Sequence, residues 1–214
     1  MTKHKSWSNS TLNLYEQCAF KYMCVKIAKI PQPESPHLTK GLAAHSVAEN
    51  YLLGKIEEPP FVLNKFTKEF KKLKELGAIP EEAFTLNNSW ELIPDGWRSK
   101  DAWLRLKLDA RIDNYLVDFK TGRHYDDHIH QAKLYANVMM MINPSYDDIE
   151  VEFWYLNSGQ VKTYDFYRKN LKADIEHWEE RVDKMMNDTV YAPTPNEYCK
   201  YCYVKNICPV KGGG

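Results

Sequence analysis

The sequence predicts an α/β chain in which helices flank a central mixed β-sheet, and three patterns carry that expectation. Residues 108–120 alternate apolar and polar side chains about a short turn, the mark of a hairpin with one buried face. Residues 151–156 and 161–166 flank Asn157-Ser158-Gly159-Gln160, a second hairpin signal. Helical patterns precede, separate and follow these strands. The order is therefore α, α, mixed sheet, α, hairpin, α, an α/β or α+β core.

Each element has a local reason. Ser8 or Ser10 can cap a first helix that runs through Leu12, Leu14, Tyr15 and Cys18 toward Tyr22. Pro31, Pro33 and Pro36 make a stiff linker. A second helix, residues 38–53, has Ala44, Val47, Ala48, Tyr51 and Leu52 on its apolar face and ends at Gly54. Gly41 on that helix would let a neighbour approach closely. Phe66, Phe70 and Leu73 recur at helical spacing among Lys65, Lys68, Lys71, Lys72 and Lys74. That pattern reads as a solvated amphipathic helix, with a phosphate-facing patch as the alternative. Strands are expected over 84–92, 102–112 and 115–120, helices over 131–142 and 171–186. Pro193 and Pro195 lead into a cysteine-rich tail.

Composition bounds the function. The 214 residues suit one domain spanning 1–214, with 8–22 and 190–209 forming a cysteine region. Lys+Arg and Asp+Glu both number 29, which argues against a polycation that coats nucleic acid. Local patches would still suffice for a nucleic-acid enzyme. The chain holds 14 Tyr, 6 Trp and 8 Phe; most suit a core, and some could stack bases. No apolar run approaches the ~18 residues that span a bilayer. The N-terminus is polar and lacks a signal-peptide pattern, so a cytoplasmic protein is expected, in the host cytoplasm if a phage encodes it. Five cysteines in that compartment are expected to be reduced or metal-bound. Gly212-Gly213-Gly214 reads as a flexible end.

The chemistry centres on Asp118-Phe119-Lys120-Thr121-Gly122. Strand alternation puts Asp118 and Lys120 on one face, where a carboxylate can hold a divalent ion and an ammonium can aim a water at a phosphate. A turn at Asn114-Tyr115 would oppose 113 to 116, 111 to 118 and 109 to 120. Asp109, Arg111, Asp113, Asp118 and Lys120 would then share one face, and Leu108, Ala110, Ile112, Val117 and Phe119 the other. Neighbouring carboxylates repel unless a cation lies between them, and oxygen ligands favour Mg²⁺ or Mn²⁺. Lys120 would position the water or stabilise developing negative charge. His45 and Glu49, four apart on a helix, form a possible ligand and orienting pair; Gln131 and Tyr135 have the same spacing.

Together these residues resemble the PD-(D/E)xK nuclease superfamily, and within it the RecB-like exonuclease branch. Gly41, His45 and Glu49 match a Gly-x-x-x-His-x-x-x-Glu helix. Ala110-Arg111-Ile112-Asp113 matches a Gly-x-Ile-Asp strand, with Ala for Gly. Residues 118–122 match Asp-Tyr-Lys-Thr-Gly, with Phe for Tyr, and Gln131 with Tyr135 matches Gln-x-x-x-Tyr. The opening helix, with Tyr15 and Cys18, is similar to the family's Ser…Tyr-x-x-Cys helix. The resemblance spans residues 8–208 and implies a restriction-endonuclease-like core. It also implies that His45, Asp113, Asp118 and the Phe119 carbonyl ligate the metal, that Lys120 is catalytic, and that Glu49 is a supporting or second-metal group. Gln131 and Tyr135 would contact the DNA. The gap from Asp113 to Asp118 is shorter than the family's, so Asp109 stands as reserve ligand.

Cys199-x-x-Cys202-x5-Cys208 with the distant Cys18 fits a four-thiolate site that staples the two ends together. The split resembles the [4Fe–4S] nucleases of the AddB type and the CRISPR-associated adaptation family, with structural Zn²⁺ as the alternative. Cys24 is left over and reads as a small buried hydrophobe. The expected function is a metal-dependent DNA exonuclease in recombination, repair or phage DNA processing, acting on single-stranded ends. The sequence has no P-loop, so it would stand alone, assemble with itself, or serve a helicase or recombinase. The rival is a non-catalytic DNA-binding or assembly subunit on the same fold; an RNA-cleaving member is a second.

Overall fold

A computed structural model describes residues 6–33 and 35–210. The first residues of the polar N-terminus and the closing glycines lie outside them. The chain forms a five-stranded sheet in the order β1 (Ile79–Leu86), β2 (Leu104–Ile112), β3 (Tyr115–Lys120), β4 (Asp148–Tyr155), β5 (Gln160–Tyr167). Among the five described strands β3 and β4 pair in parallel and the others antiparallel, and α5 (His128–Ile142) makes the crossover between β3 and β4. Antiparallel strands can turn back directly, whereas a parallel pair needs such a crossover. The expected central mixed sheet flanked by helices is therefore present.

Helices cover both faces. On one, α1 (Asn9–Gln17), α5 and α6 (Leu171–Asn187) pack with Leu116, Val151 and Phe153. On the other, α3 (Pro36–Leu52) and α4 (Thr67–Glu75) pack Ala44, Ala48, Phe70 and Leu73 against Val117, Phe119 and Trp154. Phe66 stacks on Trp154 at 5.1 Å. The lysines about α4 support the solvated-helix reading. Lys65 and Lys74 donate to the carbonyls of Asn157 and Ile56, and Lys71 pairs with Glu58.

Four sequence expectations need correction. The strand expected over 84–92 starts earlier, at Ile79, and ends at Leu86. Pro80 reads as a strand breaker, but β1 is an edge strand, where a missing backbone donor is tolerated. Pro36 belongs to the first turn of α3, where its fixed φ suits helix entry. The first helix does not run on to Tyr22. Ser8 caps α1, as expected, but Cys18 is extended (φ −168°) and separates α1 from α2 (Ala19–Tyr22).

The fourth correction is the register of the central hairpin. Its turn is Asp113-Asn114, with Asp113 left-handed at φ 52°, a conformation that Asp tolerates. Ala110 opposes Val117, Arg111 opposes Leu116 and Ile112 opposes Tyr115. Every pair differs by two residues from the expected register. A two-residue shift preserves facing, which is why the pattern survived the error. The facing itself fails at one place. Leu108 packs with Leu104 and Leu106, while Ala110 packs on the opposite side with Val117 and Phe119. Between them lies the rung of Glu81 and Asp109, flanked by the pairs Pro80–Ala110 and Glu82–Leu108. Glu81 is left-handed (φ 55°), which breaks strict alternation there.

Candidate metal centre

That irregular rung builds the site. His45 on α3, Glu81 on β1 and Asp109 on β2 bring one ligand atom each to within 4.8 Å of one another. His45 Nδ1 lies 3.0 Å from Asp109 Oδ1. The other Asp109 oxygen accepts the backbone N–H of Phe119 at 2.6 Å, tying β2 to the middle of the Asp-x-Lys motif. Glu81 is also ion-paired with Lys107. Holding a non-glycine residue in the left-handed region costs on the order of 1–3 kcal/mol, and such strain clusters at functional sites.

Asp118 lies beside this trio and is 3% exposed. Lys120 donates to its Oδ2 at 3.1 Å and approaches Oδ1 at 2.5 Å, but at an angle that gives Oδ1 no hydrogen bond. Burial raises the Asp118 carboxyl from 3.8 to about 6; Lys120 opposes that rise and Asp109 adds to it. Burial pulls His45 down, but its bond to Asp109 and the charges of Asp109, Asp118 and Glu81 outweigh this and raise it. A positive charge is thus favoured where these groups meet. An imidazole and several carboxylates, one of them buried, fit a divalent ion. The ion would displace a proton from the His45–Asp109 contact.

Lys120 also donates to Gln131 Oε1 at 2.8 Å, and Gln131 donates to the Tyr135 hydroxyl. Tyr135 is 7% exposed. Burial, then the charges of Asp118 and Asp109, push its hydroxyl well up, so it stays protonated. The structure therefore places Gln131 and Tyr135 behind Lys120. A Cβ on Gly41 would sit 3.2 Å from Thr121 Oγ1, so the expected close approach on α3 is present.

Of the residues expected at the metal, His45, Asp118, Lys120 and the reserve Asp109 converge. Phe119 joins them through its peptide N–H, while its ring is buried against Phe70 and Trp154. Asp113 does not converge. It occupies the hairpin turn and accepts the Tyr146 hydroxyl at 2.7 Å. The two-residue register shift is the reason, and it puts Asp109 next to Asp118 in its place. Glu49, one turn beyond His45 on α3, is outside the 4.8 Å group. Glu81 was missed because Pro80 hid its strand. The available signal was two successive carboxylates, Glu81 and Glu82, just before an apolar strand.

Cys18, Cys199, Cys202 and Cys208 line one surface cavity with Pro193, Pro195 and Val204. Backbone N–H groups of Thr194 and Asn196 point at Cys18 Sγ (3.5 Å) and Cys199 Sγ (3.3 Å). Asn196 also donates to the Gln17 carbonyl, joining tail to α1. Cys24 is buried outside this lining, and burial raises its thiol. Among the described residues no helix is long and apolar enough to cross a membrane.

Comparison with known proteins places this geometry in a family. No curated protein matches the sequence. Two solved structures resemble the chain: the crystal structure of SSO0001 (16% identity, TM-score 0.49, covering 99% of this chain and 89% of that one) and that of LHK-Exo in complex with dAMP (11%, 0.39, 85% and 95%). A family model matches residues 6–209, almost every residue described above, and the chain belongs to the PD-(D/E)XK nuclease superfamily.

Proposed function

We propose that the chain is a metal-dependent deoxyribonuclease that degrades DNA from its ends, with single-stranded ends as its substrate. The convergence of His45, Glu81 and Asp109 beside the Asp118–Lys120 pair carries this reading. An intact site of this kind is unexpected in a subunit that only binds. His45, Glu81, Asp109 and Asp118 would hold Mn²⁺ or Mg²⁺, and imidazole in the set favours Mn²⁺. When bound, the ion lowers the pKa of a coordinated water and offsets charge on the phosphoryl oxygens. Lys120, held by Asp118 and Gln131, directs its ammonium at the attacked phosphate and stabilises the charge that develops there. Tyr135 fixes Gln131 and so the lysine. Asp109 orients His45 and, through the Phe119 N–H, keeps the motif strand in place.

The four cysteines would carry an iron–sulfur cluster that staples α1 to the tail. Thiolates around one tetrahedral zinc stand about 4 Å apart. Among the described residues no three thiols come within 4.8 Å of one another. The split spacing, one distant and three clustered cysteines, carries the choice of a cluster over zinc, and the N–H groups aimed at sulfur suit thiolates. Protein purified without oxygen should be brown and contain iron and sulfide; a colourless protein with one zinc per chain overturns the cluster.

The enzyme reading is tested with DNA end-labelled at 5′ or 3′, single- and double-stranded, incubated with Mn²⁺, Mg²⁺ or chelator. Metal-dependent shortening from one end, absent in Asp118→Ala, is the expected result. If metal-loaded protein cuts none of these substrates, the binding-subunit reading replaces it.

A further inference from the structure

A row of rings runs from the buried Phe153 and Tyr155, beside Lys120, out to the exposed Tyr125 on the loop that follows β3. Lys120 Nζ sits over the Phe153 ring at 5.0 Å. His128 packs on Phe153 at 5.5 Å, stacks on Tyr155 at 5.9 Å, and contacts the Tyr155 hydroxyl through Nδ1 at 2.7 Å. Tyr125 meets His128 edge-on at 5.6 Å and is 46% exposed. Arg123 covers the Tyr125 ring at 5.1 Å and donates to its hydroxyl at 3.1 Å. His124 fills the angle between His128 and Tyr155.

We propose that the outer end of this row receives the single DNA strand: Tyr125 stacks a base, and Arg123 holds a neighbouring phosphate. Resting on the nuclease reading, the assignment adds a substrate surface to it. An exposed aromatic face next to a guanidinium, as at Tyr125 and Arg123, is a usual means of gripping single strands without reading sequence, because every base has a π-face. A paired, stacked base cannot offer that face, so the row selects unpaired ends. Burial, with the nearby Lys120 charge, lowers His128 to about 4. It is therefore a neutral ring at neutral pH, suited to support Tyr125 without adding charge. Continuity with Lys120 distinguishes this row from an ordinary exposed aromatic.

The test is fluorescence anisotropy with the full chain and a labelled oligothymidylate, in Ca²⁺ to limit cleavage. Three forms are compared: wild type, Tyr125→Ala and Arg123→Ala. Tyr125→Ala should weaken single-strand binding by roughly 5- to 100-fold, the contribution of one stacked base. Affinity for blunt duplex and the melting temperature should not change. An oligomer with abasic sites near its end should bind wild type and Tyr125→Ala equally. Arg123→Ala should flatten the slope of log affinity against log salt by about 0.7. Wild type that binds single strands no better than Tyr125→Ala overturns this inference alone. Wild type that binds no DNA overturns it together with the nuclease reading.

Discussion

The carboxylate–lysine centre and the cysteine cavity are both proposed sites for a metal-containing group, and the fold builds them differently. At the centre the side chains already hold one another: His45 to Asp109, Asp109 to the Phe119 N–H, Lys120 to Asp118 and Gln131. Four elements, α3, β1, β2 and β3, fix the positions, and α5 backs them. In the cavity, among the described residues, no thiol trio closes to 4.8 Å. The cysteines come from the break between α1 and α2 and from short turns of the tail. Preorganisation within about 0.5 Å is what chemistry demands. A staple demands only that its group be reachable, because binding itself then contributes folding free energy. The difference suggests that substitutions at the centre cost activity without stability, and those at the cavity cost stability first.

The sharpest break of that contrast is Lys120. Lys120→Ala should cost about 10²- to 10³-fold in cleavage rate, the scale of one lost donor to a developing charge. The chain should still fold, because protonation of Asp118 limits the cost of burying its carboxyl without the lysine. A parallel loss of folding, seen by circular dichroism, would show that the centre is structural after all.

Next comes the pair of aspartates that sequence and structure rank differently. Asp109→Asn should lower activity on the order of 10²-fold, since even groups behind a ligand cost 10- to 100-fold. Asp113→Asn should stay within about twofold, because that side chain meets Tyr146 in an exposed turn.

The pH dependence has opposite signs for activity and for metal-free stability. The Asp118 carboxyl is raised from 3.8 to about 6. Its contribution to stability is complete below the unfolded value near 3.8 and is lost as pH rises through 6. Metal binding requires the carboxylate, so affinity should fall up to about tenfold per pH unit below 6. Added Mn²⁺ should therefore raise the melting temperature more at pH 7.5 than at pH 5. Equal shifts at both would remove Asp118 from the ligand set.

Smallest in activity is the cavity. Cys199→Ser should leave the rate at 20 °C within a few-fold. It should lower stability by about 2–4 kcal/mol, the scale of a long-range covalent staple, or roughly 5–15 °C in melting temperature. A complete loss of cleavage in folded Cys199→Ser would erase the distinction between the regions.

What the sequence revealed follows the same division. β3 was legible to the residue, because its burial on both faces and its Thr-Gly ending leave little choice. The helix carrying His45 and the one carrying Gln131 and Tyr135 were legible from spacing. The rung of Glu81 and Asp109 was not, because it violates local rules: a proline within the strand and a left-handed glutamate. Two-residue periodicity cannot distinguish one hairpin register from another shifted by two, and matching the Gly-x-Ile-Asp pattern to residues 110–113 put Asp113 ahead of Asp109. The break at Cys18 was invisible for a related reason, as nothing in its neighbours forbids a continuous helix. The thiol lines the tail cavity from that break.

His45, Glu81, Asp109 and Asp118 are the proposed ligands of the ion. Mn²⁺ binding to wild type, Asp109→Asn and Asp113→Asn, followed by calorimetry or by the loss of free Mn²⁺ signal in electron paramagnetic resonance at pH 7.5, tests that assignment directly. The expected result is one active-site ion in wild type and Asp113→Asn, and binding weakened at least tenfold in Asp109→Asn. Binding that survives in Asp109→Asn and fails in Asp113→Asn would contradict the account.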